Sequence, residues 1–119
     1  MPARFRDLLG GECVVTTGTE HQLLIYTREA YRIRAEEINA EPKNREGNRK
    51  RMMFFSGADE QKIDAAGRLL LKQELRRYAG LPESGEVVIV GMFDHIALWE
   101  PQAFEAEHTK AEEVFINEE

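Results

Sequence analysis

The residues with the clearest chemical potential are Asp64 and Arg68, which flank a short turn-like segment with Gly67 just before the arginine. An aspartate that opens a turn accepts backbone N–H groups two residues on, and glycine permits the φ and ψ values that a tight turn needs. Arg68 leaves the turn where its guanidinium can reach outward. The residues alone favour a hairpin closed by an Asp64–Arg68 ion pair, and an arginine paired in this way can still be oriented toward a ligand.

No other group of residues has the spacing of a catalytic or metal site. His21, His95 and His108 lack metal-ligand spacing. The chain has no phosphate-binding glycine loop, and no serine or cysteine with an evident base. Cys13 lies in an apolar run and is predicted to be a small core residue. We therefore predict that the protein is not an enzyme and has no catalytic residue, no metal and no cofactor.

The net charge of −6 is spread unevenly along the 119 residues. Residues 100–119 hold seven acids and one lysine, so residues 1–99, with 15 acids and 15 bases, are neutral overall. An acidic tail is usually solvated and does not argue against a basic surface elsewhere. Residues 43–51 hold five bases and one acid, which predicts either a surface for an anionic partner or a solvated helix face. The solvated face is the simpler interpretation.

The length fits one domain, or two small units that share one core. No apolar run approaches the roughly 20 residues of a membrane span, and the first residues have no signal-peptide pattern. We therefore expect a cytoplasmic protein that does not contact a membrane.

Short elements must position the Asp64–Arg68 segment. Residues 60–63 and the leucines at 69–71 predict the two strands of its hairpin, and residues 73–79 predict a helix that ends at Gly80. Apolar runs bounded by glycine and aspartate predict four further strands, and apolar residues at helical spacing predict two helices between them. These strands cover residues 12–17, 22–26, 86–90 and 95–99, and the helices cover residues 28–41 and 44–55. Thr27 and Glu100-Pro101 predict helix starts.

An internal repeat relates the two halves of the chain. Residues 2–10 match residues 72–80 at an offset of 70, with Phe5 over Leu75 and Gly10 over Gly80. After a slip of three residues, residues 15–18 lie over 88–91 and residues 23–26 over 96–99. The second copy has a hairpin, residues 58–71, that has no counterpart before Pro2. We expect the chain to begin inside a repeat, and an interleaved sheet that lacks a strand to expose an unpaired edge.

These residues resemble the MraZ family. The resemblance is carried by PARFRDLL at the start and by FFSGADEQKIDAAGRLLL in the middle, followed by LRRYAGL and VVIVGMFDHIALWE. The pattern Ala58, Glu60, Asp64, Gly67, Arg68 is fairly specific in this order. Two departures are Lys72, where the family usually has proline, and the missing first hairpin with its own Asp-x-x-x-Arg turn.

The resemblance implies an α+β fold in which two SpoVT-AbrB-like repeats form a swapped-hairpin, β-barrel-like core with connecting and C-terminal helices. The implied segments are an incomplete first repeat (1–31), a helical connector (32–56), a second repeat (57–104) and an acidic C-terminal helix or tail (105–119).

The resemblance also implies a bacterial, nucleoid-associated transcriptional regulator of the division and cell-wall gene cluster. Such a protein binds repeated promoter DNA sites as a ring-like homo-oligomer. By position, the implied DNA-binding residues are Asp64, Gly67 and Arg68, and we add Lys62 as a phosphate contact on its charge. The alternative is a protein-interaction module, antitoxin-like or assembly-forming, with weak or no DNA binding.

Overall fold

The protein is described here by a computed structural model that covers residues 11–64, 68–83 and 85–118. Within these ranges the chain forms an α+β fold of five strands and four helices, so the predicted fold class is confirmed at this level. The strands are β1 (Glu12–Thr17), β2 (Leu23–Tyr26), β3 (Asp59–Lys62), β4 (Val88–Gly91) and β5 (Ile96–Trp99). The helices are α1 (Arg28–Asn39), α2 (Arg45–Ser56), α3 (Gln73–Ala79) and α4 (Pro101–Glu118).

All five strands belong to one antiparallel sheet with the order β3-β1-β2-β5-β4. Its middle strand is β2, which pairs with β5 so that Leu23 lies opposite Leu98 and Ile25 opposite Ile96. The sheet is open, with β3 and β4 at its edges, whereas the resemblance implied a barrel-like core. Closing it would require pairing that joins the two edges, and the described strands do not provide it.

The first face of the sheet carries the main apolar core. Side chains alternate between the faces of a strand, so every second residue of β1, β2 and β5 points to this side. Helix α3 covers the face with Leu75 and Ala79, which lie on one side of the helix because they are four residues apart. The buried strand residues of this core are Cys13, Val15, Leu23, Ile25, Ile96 and Leu98.

The second face is covered by α1 and α2. Phe54 of α2 packs with Tyr26 of β2 and stacks on Tyr31 of α1, whose ring centroid lies 5.1 Å away. The Thr16 hydroxyl donates a hydrogen bond to the Phe54 carbonyl oxygen at 2.6 Å, which satisfies a polar group that the sheet buries completely. Of the Met and Phe residues at the end of α2, Phe54 is in the core, whereas Met52, Met53 and Phe55 are exposed.

Predicted helix starts coincide with observed caps. The Thr27 hydroxyl accepts the Ala30 backbone N–H at 3.0 Å at the start of α1. At the start of α4, Pro101 is the first helical residue, and the Glu100 carboxylate accepts the N–H groups of the next two residues at 3.0 and 2.9 Å. Gly80 ends α3 in the left-handed region (φ 68°), a conformation that favours glycine.

The strand predicted at Leu69–Leu71 is wrong. These residues are extended chain without strand pairing, although Leu69 and Leu71 pack against the first-face core. A strand requires pairing with a neighbour, and β3, which pairs with β1 on one side, has no described strand paired with its other side. The leucine run therefore predicts burial correctly but predicts strand pairing incorrectly.

Two predictions concern features outside what the structure describes. Residues 2–10, which match residues 72–80, lie outside the described residues, and the bounds of the four implied segments remain predictions. None of the described helices is long and apolar enough to cross a membrane.

Candidate nucleic-acid interface

Asp64 and Arg68 meet across the turn that follows β3. The backbone N–H of Asp64 donates to the Arg68 carbonyl oxygen at 3.0 Å, and the backbone N–H of Arg68 donates to Asp64 Oδ1 at 2.8 Å. The Arg68 side chain adds a charged contact, with Nε 3.0 Å from Asp64 Oδ2. These three hydrogen bonds confirm the predicted Asp64–Arg68 closure of the turn. Gly67 lies outside the described residues.

The contact uses only one donor position of the Arg68 guanidinium. Nε faces Asp64, so the two terminal nitrogens lie outside this bond, and the side chain is 79% exposed. Exposed ion pairs contribute about 0–1 kcal/mol to stability. The main effect of this ion pair is therefore to orient the Arg68 side chain. A guanidinium held in this way can present two parallel N–H donors to a phosphate or a base edge.

Lys62 lies at the end of β3 and is exposed, but its neighbourhood is not uniformly basic. It is opposite Glu12 in the β1–β3 register. Together with Glu12, Arg28 and Glu60 it lines a shallow surface depression. The structure therefore brings Lys62 near two carboxylates, whereas the Asp64–Arg68 contact forms beyond the end of the strand.

Arg28 is a positioning residue that the sequence analysis missed. Its guanidinium lies 3.2 Å from Glu12 of β1 and 3.8 Å from Glu60 of β3, so it links α1 to both strands. These two strands are the support for the turn that carries Arg68. A charge pattern could not show this contact, because the two acids come from distant segments and become neighbours only when β3 pairs with β1.

Two of the five bases at residues 43–51, Lys50 and Arg51, have a structural role. Arg51 donates to the carbonyl oxygens of Glu41 and Pro42 at 2.7 and 3.0 Å and to Asn48 Oδ1 at 2.6 Å. Lys50 Nζ lies 3.3 Å from Glu41 Oε1. These two cations hold the α1–α2 connection, and the choice between an anionic-partner surface and a solvated helix face stays a prediction.

The Cys13 side chain is buried, as predicted, and is chemically unreactive in the folded chain. Burial, with a smaller contribution from the Asp59 carboxylate, raises the pKa of the Cys13 thiol to about 11. The thiol is therefore protonated at neutral pH, which is the opposite of what a nucleophile requires.

Comparison with known proteins identifies the family. Residues 54–119 match the family model described as "MraZ protein, putative antitoxin-like". Proteins named "Transcriptional regulator MraZ" match most of the chain. The protein of Rhodococcus opacus is 38% identical over 88% of this chain and 73% of its own length. The protein of Corynebacterium kroppenstedtii is 35% identical over 98% and 81%, and that of Lachnoclostridium phytofermentans is 33% identical over 89% and 74%. The chain belongs to the MraZ family.

Proposed function

We propose that this chain is a sequence-specific DNA-binding transcriptional regulator of the bacterial division and cell-wall gene cluster. It acts at repeated promoter sites as a ring-like homo-oligomer built on swapped hairpins, in the cytoplasm and associated with the nucleoid. The proposal draws on membership of the MraZ family and on relatives that are named transcriptional regulators.

The observation that carries the proposal is the Asp64–Arg68 geometry. Asp64 anchors the Nε of Arg68 at 3.0 Å and leaves the side chain 79% exposed at the end of the sheet. An arginine that contacts guanine through two hydrogen bonds discriminates it from other bases by about 1–3 kcal/mol. We assign base contact to Arg68, its orientation to Asp64, the turn backbone to Gly67 and a phosphate contact to Lys62.

Among the described residues, the proposed DNA contacts of one copy include two cations, Lys62 and Arg68, so affinity must come from several copies. Linked binding events at repeated sites raise overall avidity by about 10²–10⁴ without a new contact. In the sheet, β3 follows the helical connector but pairs with β1, which precedes it. This pairing between segments distant in sequence supports the swapped-hairpin part of the proposal.

The test is fluorescence anisotropy with a labelled duplex carrying the protein's own promoter repeats, measured against a scrambled duplex at two salt concentrations. We expect wild-type protein to prefer the repeats and its affinity to fall steeply with salt, because phosphate contacts release counterions. Arg68→Ala should reduce the preference for the repeats by about 1–3 kcal/mol, equivalent to roughly 5- to 150-fold.

Arg32→Ala is the matched control, because Arg32 is also an exposed arginine paired with an acid at i,i+4, but lies on α1. It removes the same charge and should leave the preference for the repeats unchanged. Equal losses of repeat preference in the two variants would mean that Arg68 contributes only its charge. Binding that does not distinguish the two duplexes would contradict sequence-specific recognition.

A second candidate is a protein-interaction module that assembles with, or controls, another protein. The C-terminal part of α4 favours it, because Val114, Phe115 and Ile116 are exposed by 57%, 64% and 68%. Apolar side chains exposed together are typical of contact surfaces. No DNA binding at low salt, together with a salt-insensitive protein complex, would support this candidate against the first.

A further inference from the structure

A pocket of about 420 Å³ lies beside the β1–β2 turn, between β2 and α2. It is lined by residues of this turn and of α1, α2 and β2. Its described lining does not include Lys62, Asp64 or Arg68, so the pocket is separate from the candidate nucleic-acid interface. Ligand sites in proteins typically have volumes of about 300–1,000 Å³ and combine apolar walls with a few polar groups. The pocket is therefore large enough for a small molecule.

Aromatic rings form the inner wall of the pocket. Tyr26 of β2 and Phe54 of α2 are 2% and 5% exposed, and their ring centroids lie 6.2 Å apart in an edge-to-face arrangement. The Thr16 and Thr17 hydroxyls donate to carbonyl oxygens in the last turn of α2, at 2.6 and 2.9 Å, and so fix this helix to β1. Side chains that are packed and anchored in this way keep their positions without a ligand, so the wall is preformed.

Three cations also line the pocket: Arg34 of α1 and Arg49 and Lys50 of α2. Lys50 Nζ lies 3.3 Å from Glu41 Oε1, and Arg34 Nη1 lies 3.5 Å from Glu37 Oε2. Arg49 has no ion pair within the part of the chain that the structure describes. The described lining includes no carboxylate, so the pocket has a surplus of positive charge that favours an anionic group.

One face of α2 supplies both cations and apolar surface. Positions 49, 50, 53 and 54 line the pocket, and helical residues four apart lie one above the other on the same face. The charged ends of Arg49 and Lys50 are therefore next to the apolar side chains of Met53 and Phe54. A ligand that contacts both pairs must combine a negative group with an apolar body.

Arg34 extends the positive charge to the aromatic wall. Burial raises the pKa of the Tyr26 hydroxyl, and the Arg34 guanidinium opposes this rise through its charge and a hydrogen bond. The guanidinium therefore lies beside the phenol, where it can contact the same ligand as the two cations of α2.

The β1–β2 turn adds a neutral donor. Gln22 Oε1 accepts the backbone N–H of Glu20 at 2.7 Å, which leaves the NH₂ group of Gln22 as a donor. A Cβ at Gly18 would collide with the Gln22 side chain, so the glycine makes room for this amide. The turn is held by the Gly18 N–H, which donates to the Gln22 carbonyl oxygen at 2.8 Å, and by the Tyr78 hydroxyl, which donates to the Gly18 carbonyl oxygen.

We propose that this pocket binds a small aromatic anion. The negative group of the ligand contacts the three cations, its flat body lies against Tyr26 and Phe54, and the Gln22 amide donates to it from the turn. A nucleoside monophosphate and an aromatic carboxylate share this chemistry. Duplex DNA keeps its bases stacked, so it would use the cations without the aromatic wall. The proposal does not depend on DNA binding by the chain.

The experiment uses the full chain and the fluorescent probe anilinonaphthalene sulfonate, which joins a sulfonate to an aromatic body. Arg49→Gln should weaken binding of the probe about fivefold, because it removes one charged contact at an exposed site. Arg45→Gln is the matched control, since Arg45 is an exposed arginine one turn earlier in α2 and is not part of the described lining. Its affinity should stay within about twofold of wild type. Equal losses in these two variants, or no loss in either, would overturn the proposal.

Competition for the bound probe identifies the class of ligand. Displacement by adenosine monophosphate would assign a nucleotide, displacement by naphthoate would assign an aromatic carboxylate, and either result supports the proposal. Inorganic phosphate and uncharged adenosine should displace the probe much more weakly, because each offers only part of the required contacts. Displacement by neither aromatic anion, or equally good displacement by inorganic phosphate or by a scrambled DNA duplex, would overturn the proposal.

Discussion

Asp64 closes a turn and orients an arginine through the same carboxylate. Oδ1 accepts the Arg68 backbone N–H at 2.8 Å, and Oδ2 accepts the side-chain Nε at 3.0 Å. Hydrogen bonds to a charged group contribute about 1.5–3 kcal/mol when sheltered and less when exposed, and this arginine is 79% exposed. The arrangement limits the rotamers available to Arg68 without burying its charge.

The residue-scale prediction concerns Gly47, which lies inside α2. Replacing a glycine in a helix with alanine usually stabilises the helix by about 1 kcal/mol. Here a Cβ on Gly47 would lie 1.9 Å from the Pro42 carbonyl oxygen, a backbone atom that cannot rotate away. We therefore expect Gly47→Ala to lower the free energy of unfolding by about 1–3 kcal/mol in urea denaturation.

The sign of this effect is the informative result. A stabilised Gly47→Ala variant would show that the α1–α2 connection moves aside at little cost, in conflict with the Arg51 hydrogen bonds that hold Glu41 and Pro42.

At the scale of elements, α2 is attached to the sheet through one face of its last turns. Phe54 is 5% exposed and contacts the rings of Tyr26 and Tyr31, whereas its neighbour Phe55 is 40% exposed. Adjacent helical residues point about 100° apart, so only one of the two can face the sheet. The adjacent pair provides a matched comparison within one turn of helix.

We expect Phe54→Leu to lower the free energy of unfolding by about 1–2 kcal/mol, through lost aromatic contacts and imperfect packing. Phe55→Leu should change it by less than about 0.5 kcal/mol, because the side chain keeps 40% of its surface exposed and lies outside the core. Chemical denaturation monitored by circular dichroism measures both. Equal losses would mean that Phe55 is also covered in solution, by another copy or by another part of the chain.

At the scale of the whole molecule, the sheet is well covered in its middle and incomplete at its margins. Large apolar side chains are exposed on α4, at the end of α2 and in the β4–β5 turn, where Phe93 is fully exposed. Val114, Phe115 and Ile116 are consecutive, so they span more than half the circumference of α4. Burying all three requires contact from more than one side, which a multimer can provide.

We therefore predict that the chain sediments at a multiple of its 13.7 kDa mass and that Phe115→Glu lowers that mass. The introduced charge would have to be desolvated in an apolar contact, which is costly. Thr109→Glu adds the same charge at an exposed position on the same helix and serves as the control. An unchanged sedimentation mass for Phe115→Glu would exclude this part of α4 from the assembly contact.

Most elements could be predicted from the sequence, because their signals are local. Thr27 and Glu100-Pro101 have capping chemistry that acts within three residues, and β1 was predicted with its observed ends. The strand predicted at Leu69–Leu71 is wrong because an apolar run indicates burial but does not identify a pairing strand.

In the candidate site too, local contacts could be predicted from the sequence and long-range contacts could not. The Asp64–Arg68 contact spans four residues, so composition and turn chemistry were sufficient to predict it. The link from Arg28 to Glu12 and Glu60 depends on segments that are distant in sequence. No local pattern contains it.

The sequence by itself determined the alternation of strands and helices, the buried state of Cys13 and the closure of the Asp64 turn, because each follows from interactions within a few residues. Only the tertiary structure decided that β3 pairs with β1 and that the sheet is open. Strand order and edge exposure depend on which distant segments meet, and hydrogen bonding between strands is equally available to any extended partner. The choice among partners is made by the packing of both sheet faces.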